Sequence, residues 1–160
     1  MSLTDDDYWM RRSLELARQA LAAHETPVGA LVVRDGRVLG AGRERTRERL
    51  DPSAHAEVEA VREACTASGS LHLAGATLYT TVEPCVLCAY VIRRTGIARV
   101  VYGTVAGAVG AACGTWPLLA DVTAFPGTLP PEVHGGILAK ECAELLAVRR
   151  REREGAKGGE

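Results

Sequence analysis

The chain lacks several features that would each have decided its class. It has no apolar run of about 18 residues, the minimum for a membrane-spanning helix, so no membrane association is expected. The opening Met1-Ser2-Leu3-Thr4-Asp5-Asp6-Asp7 has neither a basic n-region nor an apolar h-region, so no secretory signal is expected. Neither sign of charge dominates: 19 Lys and Arg stand against 20 Asp and Glu, a formal net charge of −1. That leaves no whole-molecule electrostatic case for nucleic acid, and only a local basic patch stays open. No internal repeat occurs. Five cysteines, an odd number, do not make a disulfide framework, and a cytoplasmic chain with reduced thiols fits better.

What is present describes an ordinary globular chain. The 160 residues are 47% hydrophobic and 24% charged. That is the size of one domain and enough apolar matter for a core without staples. Residues 1–154 are read as that domain and 155–160 as a disordered tail.

Thr4 before Asp5, Asp6 and Asp7 reads as a helix cap followed by acids in the first turn. Met10, Leu14, Ala17 and Leu21 continue at helical spacing, and Pro27 ends the segment. The run 29–33 reads as a strand, Asp35-Gly36 as a tight turn and 38–42 as the returning strand. Arg43 to Leu50 is a charged loop, either wholly solvated or partly facing the site that follows it. Asp51-Pro52-Ser53 reads as a turn and cap before a helix over 54–67. Residues 76–82 and 99–102 read as strands around a helix that Pro84 opens and that runs through Arg94. The segment 103–131 is rich in Gly and Pro, and a structureless stretch of that length is often functional. Glu132-Val133-His134 reads as an edge strand, and a last helix starts near Ile137. The β-α-β-α-β order predicts a parallel crossover and an α/β fold.

Two short stretches carry chemistry: His55-Ala56-Glu57 and Pro84-Cys85-Val86-Leu87-Cys88. His55 and the two thiols are three ligands for zinc, with a fourth position open, the stoichiometry of a catalytic rather than a structural site. Each stretch is read in the first turn of a helix. There the positive helix end keeps an imidazole neutral and favours a thiolate. Glu57, two residues from His55, does not share its helix face and is placed to move a proton beside the metal. Alone, Cys-x-x-Cys also fits a redox pair or half of a structural zinc site. Cys65, Cys113, Cys142, His72 or His134 would then supply a closing ligand.

The stretches 51–57 and 80–88 resemble the two signatures of the zinc-dependent cytidine deaminase-like superfamily. Tyr8-Trp9-Met10-Arg11, Pro27-Val28-Gly29-Ala30, Arg99-Val100-Val101-Tyr102-Gly103 and the segment 136–142 resemble its bacterial tRNA adenosine deaminases. Similar stretches occur in its guanine and cytosine deaminases. The resemblance implies a three-layer α-β-α sandwich around a five-stranded mixed sheet, and a homodimer. It implies Zn2+ on His55, Cys85 and Cys88, with Glu57 as catalytic proton shuttle. It also implies contacts to the reacting base from Val28, Ala56, Glu83 and Pro84.

Two departures bear on the substrate. Where family members carry an Asn, eleven residues before the zinc histidine, this chain has Glu44. An ionised carboxylate only accepts hydrogen bonds, so the partner there should present N–H donors. The Gly-Ser and Asn-His-Arg segments of the tRNA enzymes are not found in 110–117 or 129–133, where Trp116 either stacks on a base or packs under its own loop. The expectation is therefore a deaminase of a small heterocyclic amine, a guanine- or cytosine-type base or nucleoside. A tRNA adenosine deaminase comes second, supported by the Arg149–Arg153 cluster, and a non-catalytic zinc protein of the same fold third.

Overall fold

The computed structural model describes residues 5–157, so the Thr4 cap and residues 158–160 lie outside the described part. Helix α1 (Asp5–Ala22) leads to strands β1 (Gly29–Arg34) and β2 (Arg37–Arg43). A short α2 (Thr46–Arg49) and α3 (Ala56–Ser68) precede β3 (Thr77–Val82). Then come α4 (Val86–Thr95), β4 (Arg99–Thr104), one 3-10 turn (Gly107–Val109), β5 (Glu132–His134) and α5 (Ala139–Lys157). The sheet order is β2-β1-β3-β4-β5. β1 is antiparallel to β2 and to β3, whereas β3, β4 and β5 run parallel. This is the mixed five-stranded sheet expected from the sequence.

Alternation along the strands builds the three layers, because neighbouring side chains in a strand face opposite ways. Ala30, Val32, Leu78 and Val100 meet Ala60 and Ile92 of α3 and α4 on one face. Leu31, Val33, Tyr79 and Val101 meet Met10, Leu14 and Cys142 of α1 and α5 on the other. Both faces are covered, so the central strands read as continuous apolar runs. Two glycines let helices sit directly on the hairpin. A Cβ on Gly29 would come within 2.1 Å of the Ser13 carbonyl of α1, and one on Gly42 within 2.3 Å of the Ala56 carbonyl of α3.

The hairpin turn is as expected, with Asp35 at φ 51° and Gly36 at φ 68°, the two left-handed residues of a tight turn. Other boundaries move. The loop 43–50 holds the short α2. Its amides are fixed by the buried Glu25, whose carboxylate accepts from the N–H groups of Arg47 and Glu48. The last helix starts at Ala139, and the tail read as disordered is helical as far as Lys157. The buried stripe of α1 includes Ser13 and Ala20, with Leu21 only half-buried. Among the described residues no helix is long and apolar enough to cross a membrane.

Candidate metal centre and active site

The site forms where β3 ends and two helices begin. The sequence reading put His55 and Cys85 inside the first turns of their helices, capped by Ser53 and opened by Pro84. Both are instead the capping residues themselves, with extended backbones: φ −72°, ψ 152° at His55 and φ −76°, ψ 175° at Cys85. Ser53 turns back to Asp51, donating from both its N–H and its hydroxyl. Pro84 precedes the cap. Placing the ligands at the helix mouths aims both at the space between α3 and α4. Cys88 follows one turn into α4 and is buried.

The donor atoms fit a zinc ion. Tetrahedral zinc, with Zn–S about 2.3 Å and Zn–N about 2.0–2.1 Å, holds two sulfurs about 3.8 Å apart and sulfur and nitrogen about 3.6 Å apart. Here the two Sγ atoms lie 3.8 Å apart, and His55 Nδ1 lies 3.5 Å from Cys85 Sγ and 3.4 Å from Cys88 Sγ. Among the described residues, no other three His, Cys, Asp or Glu form such a group. The proposed closing ligands are engaged elsewhere. Cys113 meets the Tyr102 hydroxyl, Cys142 packs in the core and His134 pairs with Glu132. Neither these three nor Cys65 and His72 join the group of His55, Cys85 and Cys88, so among the described residues nothing closes a structural zinc site.

Without the ion, the ligands share protons among themselves. The Cys85 thiol is lowered to about 4, chiefly because its thiolate accepts from Cys88 and also from His55. His55 is raised to about 9, chiefly by that hydrogen bond to Cys85. Cys88, donating to Cys85 and buried, is pushed up. A zinc ion needs a neutral imidazole and two thiolates, so its binding releases whatever protons these groups carry. A zinc ion held here supplies a Lewis acid that lowers the pKa of water to about 7.

Glu57 is buried and lies beside the ligands, its Oε2 3.5 Å from Cys88 Sγ. The Thr80 hydroxyl, which the sequence reading overlooked, lies 3.2 Å from Glu57 Oε1 and 3.0 Å from the Val82 carbonyl and shares its proton between them, placing the carboxylate against the sheet. Burial raises Glu57 to about 7, a value suited to taking up and giving back protons near neutrality. Glu44 is also buried, at 8% exposure. Its carboxyl is raised by burial, opposed by His55, Thr46 and the Ala56 N–H. Its own N–H donates to the Val28 carbonyl, so Val28 and Glu44 stand together on the wall near His55. Ala56 opens α3.

Beside the contact to the base that the resemblance implied, Glu83 has a further role: its buried side chain organises the loop above. Oε1 accepts from the N–H groups of Ala112 and Cys113, and Oε2 from Ala106. The Ala111 N–H donates to the Pro84 carbonyl, and Gly110 pairs with Cys85. At the far end of the same segment the buried Arg93 donates to the carbonyls of Leu118, Leu119 and Asp121 and lies over Phe125. No pattern in the sequence marked Arg93 or this role of the Glu83 side chain. Trp116, a candidate for stacking, is 65% exposed.

Comparison with known proteins agrees with this geometry. Residues 3–104 match the cytidine and deoxycytidylate deaminase zinc-binding region. The chain belongs to this family. It is a zinc-dependent hydrolytic deaminase. A tRNA-specific adenosine deaminase of Agrobacterium fabrum is 38% identical over 90% of this chain and 93% of its own length. A tRNA(Ile)-lysidine synthase of Deinococcus radiodurans is 41% identical over 86% of this chain, which spans only 23% of that longer protein. A solved structure from work on A-to-I editing by tRNA:A34 deaminases at the wobble position of transfer RNA superposes with a TM-score of 0.78 at 38% identity, covering 86% of this chain and 98% of its own. Guanine deaminase of Bacillus subtilis superposes with a TM-score of 0.62 at 33% identity, covering 64% and 66%.

Proposed function

We propose that this deaminase converts adenosine to inosine in tRNA. Identity held over nearly the whole length supports the reading: 38% over 93% of the Agrobacterium chain and 38% over 98% of the tRNA:A34 deaminase chain. The guanine deaminase of Bacillus subtilis reaches 33% over only 64% and 66%, and that of Nitrosomonas europaea overlaps over 94% and 87% at only 23% identity. The small heterocyclic amine placed first from the sequence therefore becomes the second reading, with Glu44 as its support. The arginines of α5 add weight. Arg149 and Arg153 line a cavity with Arg47, close to the turn at Thr26 that precedes Val28.

In this reading His55, Cys85 and Cys88 hold the zinc. Water adds to the ring carbon that bears the amino group. Glu57 takes one proton of the water and delivers it to the ring nitrogen, then carries the remaining hydroxyl proton to the amino group, which leaves as ammonia while the carbonyl forms. Ala56, Glu83 and Pro84 frame the base from their backbones, with Val28 and Glu44 on the opposite wall. The homodimer and the cytoplasmic setting expected from the sequence belong to the same proposal. Light scattering on the purified protein tests the dimer.

Zinc-loaded protein should convert an anticodon stem-loop carrying adenosine at the wobble position to inosine, read by sequencing. A guanine, cytosine, adenosine and cytidine panel should release no ammonia. Ammonia from one of those bases with no inosine in the stem-loop would establish the second reading instead.

A further inference from the structure

A groove of about 550 Å³ runs along the free edge of β2, between α1 and α3, and the reaction just proposed leaves it unused. Gln19 stands on one wall, Arg62 and Thr66 on the other, and Arg43, Arg45 and Arg49 close the end nearest the zinc ligands. We propose that this groove holds the phosphodiester backbone of the substrate RNA on one side of the reacting nucleotide. The proposal rests on the tRNA reading and extends it to a second binding surface.

Charge is the first argument. Four arginines line the groove against two carboxylates, Glu59 and Glu63, on a chain whose net charge is −1. With Glu48, which pairs with Arg43 and Arg45 from outside the groove, the arginines still outnumber the carboxylates by one, a local basic patch that the whole composition conceals.

Preorganisation is the second. Glu59 is nearly buried and holds two guanidinium heads at once, Arg49 at 3.0 Å and Arg62 at 2.7 Å. Arg43 is tied at one nitrogen to the Glu44 carbonyl and at another to Glu48. The Arg45 Nε is buried without a hydrogen bond, its nearest carboxylate oxygen 3.5 Å away on Glu48. A fixed guanidinium with donors to spare suits phosphate oxygens, because little side-chain freedom is left to lose on binding.

Continuity with the site is the third. Arg43 and Arg45 flank Glu44, and the Arg45 N–H donates to the Ala54 carbonyl beside His55. Along α3, Arg62 lies about 10 Å from His55 and Thr66 about 16 Å, at 1.5 Å rise per residue. At about 3.4 Å of axis per nucleotide, that length accommodates several phosphates. A peptide strand adding to the β2 edge is the competing occupant, but Glu63 already takes the outward N–H of Ala41. Capping that donor blocks the pairing such a strand needs.

Thr66→Glu with Gln19→Glu tests the proposal. Both residues are exposed and lie outside the proposed reaction machinery, so the pair places negative charge on both walls without breaking an ion pair. Arg62→Gln is the independent single variant. Stem-loop binding by fluorescence anisotropy is followed from 50 to 300 mM salt, with inosine formation from the same RNA and melting temperature as the folding control. The double variant should bind about tenfold more weakly at low salt, with a shallower salt slope. KM should rise with kcat unchanged, since such a contact acts equally on bound substrate and transition state. Arg62→Gln should follow at about threefold. Folded variants that bind with wild-type affinity and slope, while the wild type forms inosine, overturn the groove and leave the tRNA reading standing. If the wild type forms no inosine, the tRNA reading falls and the groove proposal falls with it, an outcome distinct from active wild type with unaffected variants.

Discussion

Glu83→Gln is the sharpest test of how the loop over the site is held. The wild-type carboxylate is 2% exposed and accepts three backbone N–H groups, from Ala112 at 3.0 Å, Cys113 at 2.7 Å and Ala106 at 2.9 Å. An amide has one acceptor oxygen. Its best arrangement keeps the oxygen where Ala112 and Cys113 donate and turns its NH2 towards Ala106, donor against donor. Leaving that N–H unsatisfied costs about 1–3 kcal/mol. The two surviving bonds also lose the charge that made them about twice as strong as neutral ones. The sum is about 3 kcal/mol where the loop cannot shift, and about 1–2 kcal/mol where Ala106 swings out to water.

The two outcomes separate experimentally. Urea unfolding gives the global loss, and amide exchange at Ala106, Ala112 and Cys113 gives the local one. Exchange there should quicken about 10- to 100-fold, with the core strands changed only by the global loss. The damage should also reach the metal, because Gly110 pairs with Cys85 and the Ala111 N–H rests on the Pro84 carbonyl. Zinc affinity should fall although no ligand is touched. Stability within about 0.5 kcal/mol of wild type, with unchanged exchange over 104–114, would refute the reasoning.

Other perturbations separate chemistry from scaffold. Glu57→Gln should keep full zinc content and lose turnover about 10²- to 10⁴-fold, whereas Cys88→Ala should lose zinc and melt earlier. Metal analysis beside inosine formation reads both, and near-normal turnover in Glu57→Gln would remove it as proton carrier. Asp6→Asn should cost about 1 kcal/mol after solvent screening, since Asp6 pairs with both Arg99 nitrogens at 2.8 Å and accepts from the Tyr79 hydroxyl. The hydrogen bond from Arg99 chiefly holds its carboxyl below the usual range. Its stabilisation is therefore complete above the unfolded value of about 3.9 and fades as pH falls through the lower folded one. Urea midpoints of wild type and variant should differ at pH 7 and converge at strongly acid pH.

The parts of this fold that were legible in sequence are those fixed by neighbours in the chain. Asp35-Gly36 sets the hairpin, the apolar runs over 29–33 and 76–82 set two central strands, and Cys85 and Cys88 share a face because one helical turn separates them. The helix starts were misread by a residue or two for a related reason. Ser53 and Pro84 carry start signals, but those signals do not say which following residue leaves the helix. Here the ligands do, so that their side chains point out of the helix mouths. Arg93 and the loop-holding role of the Glu83 side chain were illegible because their partners are backbone groups far along the chain, and a buried charge leaves no periodic trace. Between them they fix both ends of a segment whose composition suggested only a loop.

Glu44 is where sequence and structure together say most about the substrate. As a surface carboxylate it would be an acceptor only and would speak against an adenine that must be both donated to and accepted from. Burial weakens that argument: it raises the Glu44 carboxyl, in the direction of the protonated form, in which one oxygen donates and the other accepts as in an amide. An Asn makes both contacts without needing a proton. Glu44→Asn should therefore retain kcat/KM on the stem-loop within about tenfold. Glu44→Ala, which removes the polar group altogether, should lose about tenfold or more, the worth of one hydrogen bond of about 1.4 kcal/mol. If Glu44→Ala matches the wild type, the carboxyl does not touch the base, and selectivity must lie instead in the loop that Glu83 and Arg93 hold over the site.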